Sequence, residues 1–195
     1  MHYLILPGYR GSGPHHWQSH WQERLASQPH TTVSRLEVED WDQPTPQHWL
    51  AQFEMALSAV SGPVIVIAHS LGCILLNHAL RQISLRNREK LQGALLVAPS
   101  DVERDNAPRP LKAFAPIRPE PLPFPTLVIS ADNDYAATPE RCQWLVRQWQ
   151  AEHVLIPSAG HINTHAGYRK WNTGLGYLAA LNERVRQSQS IPCAC

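Results

Sequence analysis

The fold is decided by residues 63–80, which read Pro63-Val64-Ile65-Val66-Ile67-Ala68-His69-Ser70-Leu71-Gly72-Cys73-Ile74-Leu75-Leu76-Asn77-His78-Ala79-Leu80. The first third follows a Gly-Pro breaker and is a run of β-branched residues, which indicates a buried parallel strand. The last part is apolar with a helical pattern. Between them stands Ala-His-Ser-Leu-Gly, a G-x-S-x-G pattern with alanine in the first glycine position. The stretch therefore predicts a strand that turns sharply into a helix at Ser70.

Ser70 is the candidate nucleophile. A strand-to-helix turn this sharp needs small residues on both sides of the serine, and Ala68 and Gly72 meet that need. The turn would lift the hydroxyl clear of the sheet edge and aim the first helix amides at an oxyanion formed beside it. The plainer alternative is a serine that only caps a helix after a buried strand.

The rest of the chain alternates strand-like and helix-like segments. Such alternation specifies a parallel sheet covered on both faces, and ligands bind beyond the carboxyl ends of its strands. We therefore predict a compact α/β fold with a mostly parallel six-stranded sheet and helices on both faces. The predicted strands are 2–6, 32–38, 63–68, 93–98, 126–130 and 153–156, and the predicted helices begin near His15 and cover 46–60, 71–82, 139–149 and 168–185.

Length and charge bound the function. The chain has 195 residues, which suits one domain with a real core, and we assign it to residues 1–187. A net charge of +1 gives no field to attract nucleic acid or an anionic membrane. No apolar run approaches the roughly 20 residues that span a bilayer, and the first residues do not resemble a signal peptide. We expect neither nucleic acid nor a membrane as a partner.

The four cysteines show no disulfide framework. A reducing cytoplasm is the simpler interpretation. Cys193 and Cys195 fall in residues 188–195, which we predict to be a loosely ordered tail. Cys73, three residues after Ser70 in the predicted helix, reads as a small buried hydrophobe.

A proline-rich segment interrupts the alternation. Residues 99–125 contain eight prolines, which disfavour a regular helix or a central strand. A loop this long is usually functional or disordered, and this one leaves the carboxyl end of the fourth strand. It could cap the site, or it could be a surface connection packed by Leu111, Phe114 and Phe124. The sequence leaves both open.

A serine nucleophile needs a base and an acid that orients the base. In a hydrolase of this layout the acid and then the histidine follow the serine in chain order, each just past a later strand. Asp132 and Asp134 follow the fifth strand, and His161 follows the sixth. Gly160 gives the backbone freedom to swing the imidazole toward Ser70. Spacing alone does not choose between the two aspartates.

Two amide donors are needed for an oxyanion hole. The Leu71 amide, directly after the nucleophile, is one candidate. The second should come from the loop after the first strand, where Gly8 permits a tight approach and the Tyr9 amide is our candidate.

Four segments together resemble the small serine-hydrolase family of YdeN-like bacterial proteins and the retinoblastoma-binding hydrolase. They are residues 6–17 with Gly-Ser-Gly-Pro-His-His-Trp, the 68–72 turn, Asn-Asp-Tyr at 133–135, and Gly-His-Ile-Asn at 160–163. In that family the acid precedes an aromatic residue, often with a proline between, which favours Asp134 although no proline separates it from Tyr135 here. The resemblance implies a compact α/β-hydrolase without the first strands of larger members, and cofactor-free hydrolysis of acyl esters or related bonds.

Other histidines are weaker candidates. His69 precedes the nucleophile but should leave the turn in another direction, and His165 lacks a preceding glycine. His16 and His20 have a spacing able to bind a metal on a helix, but no acidic third ligand is nearby, so we interpret them as helix surface and predict no metal site. Trp17 and Trp21, at helical spacing, are interpreted as core.

The prediction is a serine hydrolase that cleaves small acyl esters or related carbonyl substrates through Ser70, His161 and Asp134. One alternative is a non-catalytic interaction module on a hydrolase scaffold, because fold does not fix function. Another is haloperoxidase-like or lyase chemistry with the same triad. The sequence assigns no substrate-binding residues and leaves monomer or homodimer open.

Overall fold

The sheet has six strands, all parallel. The computed structural model describes residues 1–190 of the chain. The strand order across the sheet is β2-β1-β3-β4-β5-β6, and every neighbouring pair runs parallel. The strands are β1 (His2–Leu6), β2 (Thr32–Arg35), β3 (Val64–His69), β4 (Leu91–Val97), β5 (Thr126–Ala131) and β6 (Glu152–Ile156).

Seven helices connect or follow the strands within residues 1–190. They are α1 (Trp17–Ala26), α2 (Pro46–Ser58), α3 (Leu71–Ala79), α4 (Leu85–Lys90), α5 (Arg109–Lys112), α6 (Pro139–Trp149) and α7 (Gly174–Ser190). None of them combines the length and the apolarity needed to cross a bilayer.

Two hydrophobic cores lie on opposite faces of the sheet. Successive residues of a strand point to opposite faces, and in β3 Val64 and Val66 join one core while Ile65 and Ile67 join the other. The first core takes its helical residues mainly from α2, α3 and α6, and the second takes them from α1 and α7. The prediction of a parallel six-stranded sheet with helices on both faces is confirmed.

Some boundaries differ from those predicted. β2 ends at Arg35 rather than at Val38, and α4 was not predicted. Helix α7 begins at Gly174 rather than at Tyr168, because a turn closed by the Gly174 amide on the Trp171 carbonyl precedes it. The same helix continues through Ser190, so residues 188–190 of the predicted tail are helical. Cys193 and Cys195 lie outside the described residues.

The proline-rich segment packs on the first core. Leu111 and Phe114 are buried there and Phe124 is partly buried, while α5 is its one short helix. Because the strands are parallel, this segment leaves the same edge of the sheet as the loops that follow β1, β3, β5 and β6. Together with the loop after β2, six loops therefore leave the sheet at one rim.

Candidate active site

The turn at Ser70 is sharp. β3 ends at His69 and α3 begins at Leu71, so Ser70 alone makes the connection. Ser70 has φ 55° and ψ −119°, a left-handed conformation that costs free energy in a residue with a side chain. Its amide is tied to the Val97 carbonyl at 3.0 Å. A Cβ on Gly72 would lie 2.4 Å from the Leu6 carbonyl oxygen, so the turn can pack against β1 only with glycine there.

A chain of hydrogen bonds joins Ser70, His161 and Asp134. His161 Nε2 lies 2.9 Å from Ser70 Oγ, and His161 Nδ1 lies 2.9 and 2.8 Å from the two carboxylate oxygens of Asp134. All three side chains are buried, with residue exposures of 5–9%. A carboxylate can only accept, so Nδ1 carries the proton and Nε2 is free to accept the hydroxyl proton of Ser70. This tautomer is the one that a general base requires.

Asp132, the other candidate acid, bonds to the backbone rather than to His161. Asp132 Oδ1 accepts a hydrogen bond from the Ser158 amide at 2.7 Å, and Asn133 Oδ1 accepts one from the Gly160 amide at 2.7 Å. Asp134 Oδ1 also accepts from the Ala136 amide at 2.8 Å, which fixes the carboxylate. The loop after β5 therefore holds the loop of His161 with two residues and contacts its imidazole with a third.

Two backbone amides close to the nucleophile have no hydrogen-bond partner within residues 1–190. Neither the Tyr9 nor the Leu71 amide donates a hydrogen bond to any residue in the range 1–190. A Cβ built on Gly8 would lie 2.7 Å from Ser70 Cβ and 3.2 Å from Ser70 Oγ. The loop after β1 thus approaches the serine closely, and Gly8 permits the approach.

Ser100 is a contact that the sequence analysis missed. Its hydroxyl oxygen lies 2.7 Å from Ser70 Oγ, and its residue exposure is 2%. When Ser70 donates its proton to His161, the Ser100 hydroxyl is the donor in this second bond. Its position just beyond β4, at the same rim of the sheet, was the available signal.

A cavity of about 390 Å³ opens above Ser70. Its volume suits a small ligand. The segment 99–125 supplies part of its wall, so this segment both packs on the core and borders the site. The lining residues are Tyr9, Arg10, Ser70, Ser100, Arg104, Pro108, Leu111, Tyr135, Ala136, His161 and Asn163.

Residues 3–180 match the sequence model described as serine hydrolase. The chain belongs to the serine hydrolase family. The predicted resemblance is confirmed, and the hydrolase class with it. A search of curated proteins finds no significant match.

Solved structures share the fold of this serine hydrolase. A YdeN-like hydrolase from Pectobacterium atrosepticum superposes with a TM-score of 0.79 at 33% identity, covering 95% of this chain and 92% of the other. The ydeN gene product of B. subtilis gives 0.76 at 19% identity, with 93% and 98% covered. Est1E from Butyrivibrio proteoclasticus gives 0.65 at 15% identity, with 97% and 88% covered. The α/β-hydrolase fold that was predicted is confirmed.

His69 packs against His161 in this serine hydrolase and bonds to its backbone. Its Nε2 lies 3.0 Å from the backbone carbonyl oxygen of His161, and the two rings are 4.9 Å apart between centroids. Burial first, and then the nearby imidazoles of His161 and His16, hold the pKa of His69 well below its ordinary value. A neutral His69 donates to that carbonyl. His165, the other weaker candidate, is exposed.

His16 corrects the interpretation of His16 and His20 as helix surface. His16 is 6% exposed and caps α1, where its side chain accepts from the Gln18 amide. Burial, followed by the charges of Arg35 and His161, lowers its pKa to about 4. Trp17 and Trp21 are buried in the core, as interpreted. In the described part of the hydrolase, no group of three or more His, Cys, Asp or Glu side chains could hold a metal ion.

Proposed function

We propose that this serine hydrolase cleaves small acyl esters, or related carbonyl compounds, through an acyl-enzyme formed on Ser70. The observation that carries the proposal is the buried hydrogen-bond chain from Ser70 Oγ through the His161 imidazole to the Asp134 carboxylate, with distances of 2.8–2.9 Å. A hydroxyl with a base at this distance, and a base held in one tautomer, is the arrangement that activates a serine.

In the acylation step, Ser70 Oγ forms a bond to the carbonyl carbon while its proton passes to His161 Nε2. Asp134 stabilises the imidazolium that results. The negative charge on the carbonyl oxygen is held by the Tyr9 and Leu71 amides, which have no other partner within residues 1–190. The bond to the leaving alcohol then breaks, and His161 returns the proton to that alcohol.

In the deacylation step, a water molecule replaces the alcohol. His161 takes a proton from this water, whose oxygen attacks the acyl carbon, and the same two amides hold the second oxyanion. Collapse releases the carboxylic acid and returns the proton to Ser70. The serine hydrolase needs no cofactor in this proposal.

The surroundings support the rest of the proposal. The small cavity favours a small acyl substrate over a polymer, and the near-neutral charge favours neither nucleic acid nor a membrane as a partner. Cys73 and Cys142 are buried free thiols, which suits a reducing compartment such as the cytoplasm.

A fluorophosphonate probe and p-nitrophenyl acetate test the proposal together. We expect the probe to label Ser70, and we expect Ser70→Ala and His161→Ala each to lower turnover by roughly 10³- to 10⁶-fold. Ser61→Ala, an exposed serine at the opposite edge of the sheet, is the matched control and should keep full activity. Normal turnover by the Ser70→Ala enzyme would exclude the mechanism. Absence of labelling and turnover in the wild type would favour an interaction module instead.

A further inference from the structure

The charged side chains that line the cavity above Ser70 are all positive. Two arginines, Arg10 and Arg104, line it, and no aspartate or glutamate does. Arg10 is largely exposed, with a side-chain exposure of 73%, and it already pairs with Asp42 at 3.5 Å. A solvated ion pair of this kind contributes little to recognition. Arg104 is the arginine whose charge is left for a ligand.

Arg104 is held in place by backbone carbonyls rather than by an acid. Its Nη1 donates to the Asp101 carbonyl at 2.7 Å and to the Ala136 carbonyl at 3.0 Å. Its Nε is buried without a hydrogen-bond partner, while Nη2 has no partner within residues 1–190 and is not buried. The guanidinium is thus anchored at one end and unpaired at the other.

Two of the three acids next to Arg104 in sequence are paired with another arginine, and the third, Asp105, is exposed and forms no ion pair within residues 1–190. Asp101 and Glu103 both pair with Arg141. No carboxylate lies within ion-pair distance of Arg104 in the described range 1–190. A partly buried guanidinium without a counter-charge pays a desolvation cost, which the two carbonyls offset in part and a bound anion would offset further.

We propose that Arg104 binds a carboxylate on the non-reacting end of the acyl group, so that the preferred substrates are esters of short dicarboxylic acids. This inference rests on the proposed function. An arginine already fixed by two carbonyls loses little freedom when it binds a carboxylate through charge-assisted hydrogen bonds. A sphere with the volume of the cavity is roughly 9 Å across, which accommodates an acyl chain of about four to six carbons beside Ser70.

Three ester pairs of equal acyl length test the inference. They are the p-nitrophenyl monoesters of succinic, glutaric and adipic acid against p-nitrophenyl butyrate, valerate and hexanoate. Spontaneous release, including attack by the substrate's own carboxylate, is subtracted with the Ser70→Ala enzyme. We expect kcat/KM of the wild type to be at least about 10-fold higher for the anionic member of one pair, because a hydrogen bond to a charged group is worth that much.

The variants separate recognition from folding. Arg104→Gln should lower the ratio of anionic to neutral kcat/KM by about 10- to 100-fold. Arg109→Gln removes an exposed arginine of α5 that does not line the cavity, and it should keep the wild-type ratio. If Arg104→Gln does not fold, as judged by circular dichroism, inhibition of wild-type butyrate hydrolysis by glutarate and by glutaramide decides, and glutarate should inhibit at least about 10-fold more strongly.

The outcomes distinguish this inference from the proposed function. Equal kcat/KM for all anionic and neutral pairs in the wild type, a preference that survives Arg104→Gln, or equal inhibition by glutarate and glutaramide would each overturn the role of Arg104 and leave the serine mechanism intact. No release from any ester, together with no fluorophosphonate labelling of Ser70, would instead overturn the proposed function and this inference with it.

Discussion

Replacing Asp134 with asparagine should abolish most turnover without changing the shape of the site. Asp134 Oδ1 accepts from the Ala136 amide at 2.8 Å, and an asparagine side-chain oxygen can keep that bond. The asparagine NH₂ then occupies the Oδ2 position, 2.8 Å from His161 Nδ1. An NH₂ group donates, so a proton kept on Nδ1 would face the NH₂ hydrogens at 2.8 Å, and only Oδ1, 2.9 Å away and already bonded to the Ala136 amide, could still accept it. We therefore expect the imidazole proton to move to Nε2. At 2.9 Å from Ser70 Oγ, a protonated Nε2 cannot take the hydroxyl proton.

The expected magnitude follows from that tautomer. A serine without its base in the reactive tautomer loses about 10⁴-fold in kcat in other triad enzymes, which corresponds to about 5.4 kcal/mol of lost transition-state stabilisation. Asp132→Asn is the matched control, because an asparagine can keep the bond that Asp132 Oδ1 accepts from the Ser158 amide. It should change kcat by less than about fivefold, since the bond to the Ser158 amide is kept and a change of about 1 kcal/mol or less in its strength corresponds to at most that factor.

Steady-state hydrolysis of p-nitrophenyl acetate at pH 7.5 measures both variants. Circular dichroism and urea unfolding check that each variant folds. Asp134→Asn within about threefold of the wild type would refute the assignment of the orienting acid, whereas equal and large losses in both variants would mean that the loop, rather than the Asp134 carboxylate, matters.

Three further predictions concern stability and a neighbour of the nucleophile. Gly72→Ala places a Cβ 2.4 Å from the Leu6 carbonyl oxygen and should lower the unfolding free energy, measured by urea titration, by about 1–3 kcal/mol. Gly176→Ala in α7 is the control: a Cβ there has no atom within 4 Å, so the variant should be neutral or stabilising. Equal changes in unfolding free energy would contradict the packing argument. The pKa of His16 is about 4 folded and about 6.5 unfolded, so stability present above pH 6.5 is lost as the pH falls. Between pH 7 and pH 5 the unfolding free energy of the wild type should fall by about 2 kcal/mol more than that of His16→Asn, which keeps a capping acceptor. The same pH dependence of unfolding free energy in both proteins would contradict this prediction. Ser100→Ala should lower kcat about fivefold with KM nearly constant, because one hydrogen bond of about 1 kcal/mol to Ser70 Oγ is lost; an unchanged kcat would leave Ser100 without a role.

The sheet and the turn at Ser70 could be predicted because their signals are local. A β-branched run, a small-residue turn and an apolar helix lie together in residues 63–80, and the structure has β3, the turn and α3 there. Chain order then places Asp134 and His161 on the loops after β5 and β6, which the parallel sheet brings to one rim.

Other features could not be predicted because they depend on contacts between distant residues. Helix α4 has a largely polar sequence, begins with the Ser84 cap and exposes Leu85, so no apolar periodicity reveals it. The burial of His16 depends on the ring of His69, 4.9 Å away between centroids and 53 positions later. The unpaired state of Arg104 depends in part on Arg141, which pairs with Asp101 and Glu103.

The bonds from Asp132 and Asn133 to the loop of His161 have a consequence for laboratory evolution. They tie the backbone just before His161, at Ser158 and Gly160, to the segment that carries Asp134. A library that randomises only one of these two loops breaks the bonds between them and so changes the position of His161 relative to Asp134. Residues 132–134 and 158–161 are therefore best exchanged together, with diversity directed to other residues that line the cavity, such as Arg104, Pro108 and Leu111.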